Sequence, residues 1–344
     1  MMPFLFAGRA PLSKARPGAT LVALTGLLLA ALLACLPAQA QVQARPMAAS
    51  RTPVIVDIDI GDDIDDAFAL GLLLESPEFE IVGVTTAWGD TALRVRLLER
   101  LLRETGHAAI PVAQGIATAS AQPFTQARYA ERGALPAAPP QAVDFILRQA
   151  RLRPGQLTLL ALGPLSNVGA AIARDPAAFR QLKQVVMMGG SVRAGYRKSQ
   201  YVPKRPPDKE YNIASDVAGA RALFGAGVPI VMMPLDSTQI RLDEVERNAL
   251  FGHGSPVTDA LALLYHQWID AYQPWSSNMP SLFDVVPVAW LIDPRVCPLT
   301  PLRIGVDADG FTRELPGAPN AGVCLASGQG RFFDLLMGRL LERP

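Results

Sequence analysis

Five short runs of almost unbroken apolar residues recur through this chain of 344 residues: PVIVDID (53–59), FEIVGVTT (79–86), QLTLLAL (156–162), QVVMMGG (184–190) and VPIVMMPLD (228–236). A strand that is apolar at consecutive positions must be covered on both faces, the condition of a parallel sheet flanked by helices. Helical patterns fill the intervals at Ile64–Glu75, Ala92–Glu104, Ala142–Arg151 and Asp216–Phe224, and another follows at Val257–Ile269. The alternation predicts α/β architecture, a single domain over residues 53–344 built on a doubly wound, mostly parallel sheet. Two stretches break the rhythm, Thr118–Pro140 and Ser191–Lys209, and both are long enough to lie as loops over a pocket. The basic residues of the second read as a solvated surface.

The first forty residues are of another kind. Arg9, Lys14 and Arg16 precede an apolar run from about Ala19 to Leu36, and Ala38-Gln39-Ala40 supplies a small-x-small cleavage site. Residues 1–40 therefore read as an export signal cleaved after Ala40, followed by a flexible segment over 41–52. Two alternatives stay open: LLAC (32–35) as a lipoprotein site with Cys35 lipidated, and an uncleaved anchor. All three place the protein outside the cytoplasm, in the periplasm or beyond, with membrane contact only through a lipid or an uncleaved signal. Removing the three basic residues of the leader takes the formal charge from +1 to −2. Nothing in that balance points to nucleic acid. Two cysteines remain, Cys297 and Cys324, and a disulfide and a pair of buried thiols are equally compatible with the sequence.

Chemistry concentrates where the first apolar run ends. Six aspartates occupy the ten positions from Asp57 to Asp66. In a doubly wound sheet ligands bind beyond the carboxyl ends of the strands, and Asp57, Asp59, Thr85, Thr86, Asn167, Gly189, Gly190 and Asp236 all fall at such ends. Helix capping accounts for Asp62 or Asp63. Six carboxylates at a few ångströms repel and raise one another's pKa unless a cation neutralises them, and an oxygen-only donor set favours Ca²⁺ or Mg²⁺ over Zn²⁺. An EF-hand loop is excluded, since Gly61 is fifth and Phe68 twelfth counting from Asp57. A strand ending in Asp-x-Asp also suits a phosphatase with Asp57 as nucleophile and Asp59 as acid.

Eight motifs in fixed order favour another reading. These are DIDIGDDIDDA (57–67), VTTAWGDT (84–91), IPVAQG (110–115), LGPLSNV (162–168), VVMMGGS (185–191), KEYNIASD (209–216), PLDST (234–238) and LFDVVPVAWLIDP (282–294). With them the chain resembles the nucleoside hydrolases of the inosine-uridine preferring type, from about Val54 to Pro294. The resemblance implies a Rossmann-related fold and Ca²⁺-dependent hydrolysis of the N-glycosidic bond of ribonucleosides, releasing ribose and free base. It further implies that Asp59, Asp66, Asp284 and the backbone carbonyl of Leu162 hold Ca²⁺. Asp65, Asp90, Met188, Glu210, Asn212 and Phe283 fall at substrate-binding positions, and Asp59 takes the proton of the attacking water. A carboxylate-rich site suits the oxocarbenium-like transition state of glycosidic cleavage. The partner implied is a small-molecule nucleoside, and association into a homo-oligomer is compatible with it.

The chain departs from the family at three places. Two extra residues lie between Gly61 and Asp65 relative to the shorter family form, Asp90 stands where many members have Asn, and Phe283 where many have the histidine before the last metal aspartate. The leaving-group acid is thereby unassigned. Of the three histidines, His107 falls in a turn, and His266 sits in an aromatic helix, where packing is its ordinary role. Tyr265, His266 and the Ser191–Lys209 loop remain candidates. Phe283 and Asp90 also motivate a binding protein for ribose or nucleosides that keeps the metal cradle and lacks turnover.

Overall fold

The computed structural model describes residues 51–197, 202–272 and 278–342. Residues 1–40, read as an export signal, with Cys35 among them, and most of the 41–52 segment lie outside the described residues. Residues 49–344 form one compact unit.

Strands β1 (Thr52–Ile58), β2 (Phe79–Thr86), β3 (Val112–Ala113), β4 (Thr158–Ala161), β5 (Gln184–Met188), β6 (Ile230–Met233), β7 (Leu299–Val306), β8 (Thr312–Leu315) and β9 (Ala321–Cys324) form one sheet in the order β3-β2-β1-β4-β5-β6-β9-β7-β8. The first seven in that order pair in parallel, and β7 and β8 close the edge antiparallel. The five apolar runs are β1, β2, β4, β5 and β6. The other four strands carry no such signal. β3 has two residues, and β7 is a half-exposed strand interrupted by Pro301 and Arg303.

The helices used below are α1 (Asp65–Leu74), α2 (Thr91–Glu104), α3 (Ala142–Leu152), α4 (Ser166–Arg174), α5 (Val217–Gly225), α6 (Pro256–Tyr272), α7 (Val285–Ile292) and α8 (Gln329–Leu341). Side chains of β1 alternate between two cores, as a strand's period of two requires. Val54, Val56 and Ile58 join the core beneath α1, α2, α6, α7 and α8, whereas Ile55 joins the one beneath α3, α4 and α5. α1 is buried from Asp65 to Leu73. A helix covered all round has no solvent face on which to place charge, so the two aspartates of its first turn must be accommodated inside the protein. Cys297 and Cys324, left open by the sequence, are joined in a disulfide with Cα atoms 5.8 Å apart, tying the segment after α7 to β9.

Strand order runs outward from β1 in one direction through β2 and β3, and in the other through β4, β5 and β6. Connections therefore diverge between β1 and β4, and the loops behind those strands leave a crevice.

Candidate active site

A cavity of about 570 Å³ occupies that crevice. Its acidic side is formed by Asp59, Asp65, Asp66 and Asp284, with Leu162 from the end of β4, and its other walls include Met188, Tyr196, Glu210, Asn212 and Phe283. This is the size of a small-molecule site.

The six aspartates divide into two sets. Asp57 receives hydrogen bonds from the Thr85 hydroxyl (2.5 Å) and Asn167 Nδ2 (2.8 Å). Asp62 pairs with Arg94 through both carboxylate oxygens, at 3.2 and 2.8 Å. Asp63 accepts from the Ile64 amide at 2.7 Å. These three are satisfied by the protein and hold the loop. Asp59, Asp65 and Asp66 face the cavity, and Asp284 joins them from the residue preceding α7, its amide donating to Asp65 Oδ2 at 3.1 Å.

The Thr118–Pro140 segment packs behind this loop. Thr125 Oγ1 donates to the Asp62 carbonyl (2.8 Å) and Gln126 Nε2 to the Asp63 carbonyl (2.7 Å). Gly61 adopts φ +125°, and a β-carbon there would fall 2.3 Å from the Phe124 ring. Glycine is needed at that turn for both conformation and space.

Burial pushes Asp57 up to about 6 and Asp59 up to about 7, with Asp62 and Asp57 adding to the effect on Asp59 and Arg94 opposing it. Asp65, Asp66 and Asp284 are raised well above the usual carboxylate range, first by burial and then by neighbouring carboxylates, foremost Asp63 for Asp65, Asp59 for Asp66 and Asp65 for Asp284. Each of these three offers an oxygen within 4.8 Å of the others, and Asp66 Oδ1 and Asp284 Oδ1 are buried with no hydrogen-bond partner. Buried unpaired carboxylate oxygens are costly. An all-oxygen cluster of this kind fits a hard divalent cation.

Glu210 caps the short helix that follows it. Its carboxylate accepts from the amides of Asn212 (2.9 Å), Ile213 (3.1 Å) and, across the loop, Gly190 (2.8 Å). Asn212 Nδ2 donates to the carbonyls of Leu162 (2.8 Å) and Met188 (3.3 Å), linking the ends of β4 and β5. Phe283 meets Tyr196 edge to face, ring centroids 6.4 Å apart.

Nine of the ten residues picked out by sequence thus line one cavity. Asp90 stands apart: it is exposed, and its side chain caps α2 by accepting from the Leu93 amide at 2.9 Å. Asp65, rather than Asp59, completes the tight oxygen trio with Asp66 and Asp284. Tyr265 and His266 do not line the cavity. Tyr265 donates to the Asn278 carbonyl (2.6 Å), and His266 borders a separate smaller cleft. Tyr196, Lys209 and Tyr211 line the cavity without having been singled out, apart from their place in or beside the Ser191–Lys209 loop.

The family model for inosine-uridine preferring nucleoside hydrolase matches residues 54–334. The chain is a member of the nucleoside hydrolase family. It is 30% identical over 316 residues to the pyrimidine-specific ribonucleoside hydrolase RihA of Citrobacter koseri, covering 84% of this chain and 97% of that protein. The same enzyme of Salmonella schwarzengrund is 30% identical over 320 residues, covering 84% of this chain and 98% of the relative. Among solved structures, the plant nucleoside hydrolase PpNRh1 superposes with a TM-score of 0.74 at 24% identity, covering 86% of this chain and all of its own. A purine-preferring ribonucleoside hydrolase from Gardnerella vaginalis gives 0.71 at 24% identity, covering 84% and 98%. Those two likenesses are of fold. This nucleoside hydrolase is accordingly an N-glycosidase acting on ribonucleosides, and its acidic cluster is the place where a metal fits.

Proposed function

We propose that the enzyme is an exported, Ca²⁺-dependent ribonucleoside hydrolase. The observation that carries the metal reading is the pair of unpartnered buried oxygens, Asp66 Oδ1 and Asp284 Oδ1, in an oxygen-only trio at one side of the cavity. Asp59, Asp66, Asp284 and the Leu162 carbonyl would hold the ion, with Asp65 beside them. When bound, Ca²⁺ supplies positive charge that offsets the carboxylates and favours ionisation of a water.

The chain's own groups do the rest. Asp59, which follows β1 and faces the cavity, is positioned to accept the proton of the water that attacks C1′. The carboxylates favour the positive charge that develops on the sugar as the bond to the base breaks. Glu210 fixes Asn212 at the cavity wall, and the apolar rings of Phe283 and Tyr196, in edge-to-face contact, exclude water from their part of it. The departing base must collect a proton. Tyr196 is the donor we favour: its hydroxyl accepts from the Tyr211 amide at 3.0 Å, and no described residue accepts its own proton. The basis for export is the leader in the sequence.

Purified protein incubated with a panel of pyrimidine and purine ribosides, with and without chelator, and read out as reducing sugar, tests this reading. Ribose release that stops on chelation and returns with Ca²⁺ is the expected result. Turnover untouched by exhaustive chelation would overturn the metal assignment, and nucleoside binding without ribose release would favour the binding-protein alternative. Phosphate release from nucleotides would revive the phosphatase. Amino-terminal sequencing of the exported form should begin at Gln41.

A further inference from the structure

Of the two buried arginines among the described residues, Arg94 and Arg247, Arg94 is the one that grips the aspartate loop. Arg94, on the first turn of α2, is 1% exposed. Burying a guanidinium costs several kcal/mol unless its donors are met. Here they are met almost wholly by the loop that carries the aspartates. Nη1 donates to the carbonyls of Asp59 and, at 2.9 Å, Ile60, and Nη1 and Nη2 grip the Asp62 carboxylate. Nε donates at 2.8 Å to the carbonyl of Trp88, the one described non-glycine residue with positive φ (60°). A single side chain therefore clamps the loop behind β1 to the turn behind β2. Phe124 lies 5.2 Å from the guanidinium carbon and closes over Gly61.

We propose that Arg94 is a positioning residue for the metal site, with Asp62 as its dedicated counter-ion. Its function is to hold the loop from Asp59 to Asp66, so that Asp59 on one side of the clamp and Asp65 and Asp66 on the other converge. The inference rests on the metal reading above. Asp62 is then explained: it lines the cavity but spends both oxygens on Arg94.

Charge and position make opposite predictions. A fixed cation beside carboxylates repels a second one, so an Arg94 acting through charge alone weakens Ca²⁺ binding, and its removal tightens it. A clamp strengthens binding, and outer-sphere partners of this kind are worth about 10–100-fold in metal affinity. Arg94→Lys keeps the charge and loses the fork; Arg94→Gln loses both.

Calcium titration by calorimetry, with folding checked by circular dichroism, separates the accounts. Both variants should bind Ca²⁺ at least tenfold more weakly than the parent. Arg94→Lys binding as the parent does, or Arg94→Gln binding more tightly, would overturn the proposal. Should one variant fail to fold, the other carries the test: Arg94→Lys supports the clamp by binding Ca²⁺ at least tenfold more weakly and refutes it by binding as the parent does, and Arg94→Gln supports it by weaker binding and refutes it by equal or tighter binding. A parent protein that binds no Ca²⁺ overturns the metal reading and this inference together, whereas a parent that binds and variants that bind equally overturn this inference alone.

Discussion

Gly163, directly behind the carbonyl of Leu162, is the position at which a single methyl group reports on Asp59. A β-carbon there would lie 2.6 Å from Asp59 Oδ1 and 2.9 Å from its Cγ, about 0.8 Å short of the 3.4 Å at which ordinary contact begins. Gly163 is not in the left-handed region, so alanine introduces the contact and no backbone strain. The carboxylate must give way, because its own backbone is fixed by Arg94 and the neighbouring Ile60 is fully buried. An error approaching 1 Å in a reacting group costs about 10²-fold in rate, and an overpacked methyl costs about 1–3 kcal/mol. Gly163→Ala should therefore lower kcat on the best riboside by about 10- to 100-fold while lowering Tm by only a few degrees. The assay is ribose release under saturating substrate, alongside scanning fluorimetry. A kcat within twofold of the parent, with Tm unchanged, would show that the placement of Asp59 does not matter to the reaction.

Three further outcomes follow from the same site. Asp59→Asn should cut turnover by about 10²-fold or more, the scale of general-base catalysis, while nucleoside binding measured by calorimetry survives; turnover within tenfold of the parent places the base elsewhere. Burial raises Asp57 and Asp63 to about 6 and Asp59 to about 7, so the protonated forms favour the fold; without metal, that stability is complete below about 3.8 and is lost as pH rises through 6–7. Tm of chelated protein should thus fall between about pH 4 and 7 and level off above that, and Ca²⁺ should remove most of the slope by taking the protons' place; a flat profile under chelation contradicts this. Tyr196→Phe should slow uridine or inosine by about 10²-fold and spare nitrophenyl riboside, whose leaving group needs no proton, and Phe283→His should partly restore the natural substrates; equal losses on both substrate types would remove Tyr196 as the acid.

The central fold was legible because a parallel sheet covered on both faces leaves a mark on every residue of its strands. Helix limits read from periodicity fall within a few residues of those observed, as for Ala142–Arg151 against Ala142–Leu152. β3, at one edge, and β7, next to the other, leave no such mark, being very short or partly exposed. At the site, the residues found were those in strand-end motifs. Tyr196 and Lys209 escaped because they lie in or at the end of a loop whose basic composition reads as solvent-facing. Arg94 escaped for a different reason. In α2 it falls at helical spacing with Leu98 and Leu101, on the apolar face, whereas Arg96, Arg100 and Arg103 share another face; that spacing marks Arg94 as inward-facing, but nothing in the sequence says that it meets the aspartate loop.

The bond from the Asp284 amide to Asp65 spans 219 positions of the chain. Contacts between residues so distant in sequence form only after the intervening loop entropy has been overcome. All six aspartates of the first motif have been made by residue 66, yet the cluster is incomplete until Asp284 has been synthesised and α7 has packed beside α1. A nascent chain is therefore inert for most of its synthesis. Binding of a luminescent lanthanide at this trio would then serve as a clock for the last stage of folding, silent in every intermediate that holds the parallel sheet but has not yet docked α7.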